Sequence, residues 1–202
     1  YYAQRLADMV KVWRDLWGLG EMPFYEVELA PFTYGGDGTT GARIREAQHK
    51  AVELIPGSGI ASINDLAYPY EYDEIHPRRK KEVGERLSYL ALNRTYGMGY
   101  LPFEGPRFKS YEIRGGEIEV AFHNGERGFS PWHDIVGFEI AGEDKVFHPA
   151  EIRRGAQLNT VIVKSDKVPA PVAVRYCFRD FQIGNFTGQR CLPVIPFRTD
   201  NW

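Results

Sequence analysis

The chain has 202 residues, 43% of them hydrophobic, with 25 lysines and arginines against 27 aspartates and glutamates. That is enough apolar material for one ordinary domain or two small ones. A net charge of -2 with both signs mixed along the chain excludes the basic surface that nucleic acid or an anionic membrane demands, and no apolar run approaches the length of a membrane span.

The first hundred residues alternate helix and strand signals. Leu6, Met9, Val10, Trp13, Leu16 and Trp17 fall on one helical stripe, and a stop is expected at Gly18 or Gly20. This pattern is already helical at the first residue, with no initiator Met and no signal peptide. Upstream residues are therefore expected to have been removed or to lie on another chain. Phe24 to Ala30 reads as a strand, and residues 34–41 form a glycine-rich loop. Thr40, the second threonine of that loop, is placed to cap a helix from about Ala42 to Leu54. The loop lacks the Gly-Lys-Ser/Thr end of a phosphate loop, so it reads as a substrate-side loop.

Ile60 to Asp65 reads as a short strand and Leu66 to Ile75 as a loop rich in Tyr and Pro. Pro77 is expected to open a third helix, with Val83, Leu87, Leu90 and Ala91 on its inner face. The basic run 78–81 is followed by Glu82 and Glu85 and reads as a solvated first turn. Strands alternating with helices predict a parallel sheet covered by helices. Ligands are then expected beyond the carboxyl ends of its strands.

After Tyr100 the pattern changes. Residues 118–122, 135–140, 160–163 and 172–176 are short strands at turn-punctuated spacing, with Gly115-Gly116 and Asn124-Gly125 as hairpin-type turns. The predicted class is α/β: an α/β part over 1–105, then an all-β sandwich or jelly roll over 106–202. Cys177 and Cys191, fourteen positions apart, are open to pairing or to life as buried thiols. His123, His133 and His148 lack Cys or carboxylate partners at ligand spacing, so neither a metal nor a cofactor is expected.

The chemistry-bearing stretch is Tyr72-Asp73-Glu74-Ile75-His76-Pro77. A carboxylate three residues before a histidine suits a general base whose one ring nitrogen is held by the acid while the other faces a serine hydroxyl. Asp73 is the expected orienting acid, with Asp65 at the strand end as the alternative. His49, in mid-helix, reads as a surface or packing residue. No Gly-x-Ser-x-Gly elbow occurs, and Ser58, Ser62, Ser88, Ser110, Ser130 and Ser165 lack a local nucleophile setting. Half of an active site is legible.

The run Glu74-Ile75-His76-Pro77-Arg78-Arg79-Lys80-Lys81-Glu82-Val83-Gly84-Glu85-Arg86-Leu87 resembles the last catalytic block of the sialate O-acetylesterases, within the SGNH hydrolase superfamily. The tail from Val174 to Trp202 and the stretch Gly137 to Gly142 resemble that family's C-terminal end, and the Trp13-Arg14 helix and the Leu29-Ala30-Pro31 strand are similar to the family as well, so the resemblance covers nearly the whole chain. It implies the C-terminal part of a flavodoxin-like SGNH domain and a serine esterase that removes acetyl groups from sialic acids or related sugars. His76 is then the base and Asp73 its acid, and Arg43 is a candidate contact for a sugar carboxylate.

The family's serine block and its oxyanion-binding glycine and asparagine blocks have no counterpart here. The resemblance therefore implies an N-terminal portion of the same enzyme as partner, and a chain nearly inert by itself. A secreted, periplasmic or lysosomal location is implied by the substrates. The competing expectation is a non-catalytic glycan-binding or structural module.

Overall fold

The computed structural model describes all 202 residues. Helix α1 (Tyr2–Trp17) stops where Gly18 turns left-handed, at φ 65°, and returns its N–H to the Arg14 carbonyl. Its inner side brings Val10 against Ala51 of the neighbouring helix and Ile55 just past that helix's end, with Leu6 and Phe24 alongside. The strands β1 (Phe24–Val27) and β2 (Ser58–Ala61) pair in parallel, Phe24 opposite Ser58 and Val27 opposite Ala61. Helices α2 (Thr40–Leu54) and α3 (Lys80–Leu90) follow β1 and β2 in turn. The parallel sheet has these two strands only. No helix is long and apolar enough to cross a membrane.

The element boundaries differ from expectation wherever a side chain captures a backbone group. Strand β1 ends at Val27, because the Leu29 N–H turns to the Gln48 side-chain oxygen at 2.7 Å. Strand β2 begins earlier than predicted, at Ser58, and ends at Ala61; beyond it the Ile63 N–H binds a Glu28 carboxylate oxygen at 3.0 Å. Thr40 lies inside α2, while Thr39 is the cap residue, with its hydroxyl donated to Asp37 at 2.7 Å. Pro77 does not open α3. The Arg78 N–H is held by Glu71, and the helix starts at Lys80.

Two four-stranded antiparallel sheets make up the rest. One, in the order β3 (Arg107–Arg114), β4 (Glu117–His123), β8 (Thr160–Lys164), β7 (Glu151–Arg154), faces the other, in the order β10 (Phe197–Arg198), β9 (Ala173–Tyr176), β5 (Phe138–Ala141), β6 (His148–Pro149). Alternate residues point to one side of a strand. Ile118, Val120 and Phe122 of β4 and Val161 and Val163 of β8 thus meet Phe138, Ile140, Val174, Tyr176 and Phe197 of the other sheet in one core. Gly115, at φ 62°, makes the β3–β4 turn as predicted. Asn124-Gly125 makes no hairpin, since the next strand, β5, pairs with β9 and β6 in the opposite sheet. That strand begins at residue 138 rather than 135, because the Val136 N–H is taken by the Asn185 side chain. Both cysteines are free thiols, Cys177 buried and Cys191 exposed.

Candidate active site

The segments leaving the carboxyl ends of β1 and β2 carry the candidate residues. They touch each other: Thr33, after β1, donates both its N–H (3.0 Å) and its hydroxyl (2.8 Å) to the Tyr72 carbonyl, after β2. His76 lies on this second segment and is exposed to solvent, with its backbone N–H donated to the Glu74 carboxylate at 3.0 Å. Asp73 is exposed as well. No hydrogen bond or ion pair of the structure joins Asp73 to His76, so the chain by itself does not assemble the predicted acid–base pair.

Asp65 is engaged elsewhere. Its two oxygens accept the Arg86 guanidinium at 2.6 Å each, and the same guanidinium binds the Ser62 carbonyl at 2.6 Å. A fork-on-carboxylate pair of this kind ties α3 to the end of β2. It commits both Asp65 oxygens to Arg86 in this structure.

The loop that presents His76 is closed by Glu71. Its buried carboxylate accepts the Tyr68 N–H (2.8 Å) through one oxygen and the Arg78 N–H (3.1 Å) through the other. Its own carbonyl accepts the Glu74 N–H at 3.0 Å. On the outside of this loop Tyr68 and Tyr70 stack at 5.3 Å, and the Arg78 guanidinium lies 5.6 Å from the Tyr70 ring centroid.

Arg43, in the first turn of α2, donates to the Thr39 hydroxyl at 3.1 Å and stands 3.7 Å from the Asp37 carboxylate. The Thr39 hydroxyl and N–H, with Arg43 nearby, hold the Asp37 carboxyl below its usual range. Part of the arginine's hydrogen-bonding capacity thus serves its own loop, and the half-exposed remainder faces solvent.

Sequence reasoning missed a second polar cluster. Glu28 is completely buried and accepts the His49 Nε2 at 2.9 Å, the Ser62 hydroxyl at 3.2 Å and the Ile63 N–H at 3.0 Å. Ser62 Oγ lies 3.4 Å from the same Nε2. Serine, histidine and carboxylate stand together here, but not in a triad's order. The nitrogen that would have to take the serine proton is the one bonded to the carboxylate, and the serine donates to that carboxylate too. Burial pushes the Glu28 carboxyl up, but the His49 hydrogen bond and charge, with Arg45 and the Ile63 N–H, outweigh it and hold it below its usual range. The visible signal was a glutamate within an otherwise apolar strand end, which alternation alone assigns to solvent.

No protein-family model matches this chain, and no curated protein does. Among solved structures, the whole chain aligns with the crystal structure of XAC1771, a carbohydrate acetylesterase from Xanthomonas citri, at 38% identity and a TM-score of 0.87. The chain spans 46% of that protein. It is thus related over its entire length to part of a carbohydrate esterase.

Proposed function

We propose that this chain is the C-terminal portion of a serine esterase that removes O-acetyl groups from sialic acids or related sugars. The observation that carries the reading is the full-length likeness at 38% identity to part of a carbohydrate acetylesterase, with His76 exposed on a loop beyond the carboxyl end of β2. A serine from an N-terminal portion attacks the acetyl carbonyl. His76 takes the serine proton and returns it to the sugar oxygen, and water repeats the cycle on the acetyl-enzyme. Asp73 orients the imidazole once that portion is in place. The fold that goes with this reading is an SGNH-type, flavodoxin-like sheet completed by further parallel strands, followed by the two-sheet module from about residue 106.

Two features support an N-terminal portion. A parallel sheet of two strands is far below the usual size and is buried on both faces in complete domains. Along α1, Met9, Val12, Trp13, Leu16 and Trp17 are exposed beside the side that packs on α2, an apolar surface of the kind that marks an interaction site. The substrates place the enzyme in a secreted, periplasmic or lysosomal setting.

The test is acetate release from O-acetylated sialic acid and from neutral acetylated sugars by the active protein that carries this chain. His76→Ala is expected to lower turnover by roughly 10²–10⁴ with the fold intact; near-normal turnover sinks the reading. Arg43→Ala is expected to raise KM for the acetylated sialic acid alone. An equal rise for the neutral sugars removes Arg43 from carboxylate recognition.

A further inference from the structure

The His76 ring has no hydrogen bond or ion pair to set its direction; only its backbone N–H is bound, and to Glu74, two residues away. The segment that carries it lies outside helix and strand between the short 3₁₀ turn at Pro69–Glu71 and the start of α3 at Lys80. An exposed, irregular loop is ordinarily free to move, and a general base has to sit within hydrogen-bond reach of the proton it removes. Something has to hold this loop, and one side chain is built to do so.

Glu71 keeps its carboxylate out of solvent, which costs free energy unless the oxygens are satisfied. They are satisfied by backbone on both sides of His76. One oxygen takes the Tyr68 amide, before the loop, and the other takes the Arg78 amide, after it, with the Arg78 Nε a further 3.8 Å away. The pair of bonds closes residues 68–78 into a ring with Asp73, Glu74 and His76 on its rim. From the first strand, Thr33 adds the bonds to the Tyr72 carbonyl that dock this ring on the neighbouring segment. Glu71 itself is buried, with its carboxylate on backbone amides.

We propose that Glu71 is the positioning residue for His76, acting through the backbone closure of the 68–78 loop rather than through contact with the imidazole or the substrate. This rests on the reading of His76 as the general base. The decisive substitution is Glu71→Gln, which keeps shape and volume. A carboxamide has one acceptor oxygen where the loop needs two, and its amino group faces a backbone N–H, so one of the two closures is lost.

The experiment compares wild type, Glu71→Gln and His76→Ala in the active protein containing this chain. The readouts are kcat and KM for an acetylated sugar, normalised to the folded fraction from circular dichroism. Glu71→Gln is expected to lower kcat per folded molecule roughly 10–100-fold, the effect of displacing a catalytic group by about an ångström. KM should stay within about twofold, because no substrate contact is lost. Amide exchange at Arg78 or Tyr68 should quicken in the same variant. A loss of activity no greater than the loss of folded protein overturns the proposal, and so does an unchanged kcat. Full turnover in His76→Ala overturns the base reading on which it rests. An inert His76→Ala beside a fully active Glu71→Gln rejects Glu71 alone.

Discussion

Glu28 and Asp65 are both carboxylates near strand ends, and their neighbours assign them work that residue type does not reveal. At Glu28 one buried carboxylate joins the end of β1 to α2 through His49 and to the end of β2 through Ser62 and Ile63. Its carboxyl sits below the ordinary value of 4.5 in the folded chain. A lowered folded-state value means stability that is present above the unfolded value and is lost as pH falls through the folded one. Unfolding midpoints followed downward from pH 5 should therefore drop, and Glu28→Gln should flatten that drop while lowering stability at pH 7. An acid limb of the same steepness in the variant would assign the effect to other carboxylates. The histidine–proline signal at 76–77 was legible because it is local. The partners of Glu28 and Asp65 were not, since they lie on elements 20 or more positions away.

At the scale of elements, the helices and six of the ten strands were legible in the sequence, while β3, β6, β7 and β10 and most element ends were not. Alternation in 118–122 reads directly as strand because the pleat sends every second side chain inward, and the β-branched run 160–163 does so by residue type; β4 and β8 lie there. The start of α3 moved from Pro77 to Lys80 for a reason outside any local pattern: the Arg78 N–H is bound by Glu71. The inner face of that helix also includes Arg86, which an apolar count passes over, and its pair with Asp65 is largely shielded from water. Breaking one side of a shielded pair strands the other charge. Arg86→Met is expected to cost about 3–5 kcal/mol in denaturant unfolding, with Asp65→Asn close behind. If Asp65→Asn instead leaves stability unchanged and abolishes turnover in the active protein, Asp65 is the orienting acid after all.

Across the whole molecule, the two halves are bolted together by backbone and charge. The Gly41 N–H donates to the Asp180 carboxylate at 2.6 Å, the Phe32 N–H donates to the Asp180 carbonyl and the Asp180 N–H to the Gly38 carbonyl. Arg45, buried in α2, donates to the carbonyls of Arg179 and Asp180, and Arg198 pairs with Glu46. With the glycine-rich loop and α2 held this way, residues 1–105 and 106–202 should unfold in one cooperative transition. Calorimetry that resolves two transitions would refute that coupling. Asp180→Ala should lower the single midpoint, since it leaves a buried N–H unpaired at about 1–3 kcal/mol.

The sequence by itself determined that the chain opens with helices around parallel strands and closes with antiparallel β, because side-chain periodicity is a property of neighbouring residues. It also singled out His76, through its immediate flanks. Which carboxylate serves which cation was decided by tertiary structure alone. Asp65 is paired with Arg86, Glu28 is bonded to His49, and Glu71 closes the loop at 68–78. The physical reason is common to all three. A carboxylate shielded from water is tolerable only where folding delivers donors to it, and apart from the loop amides of Glu71 those donors come from chain segments remote in sequence.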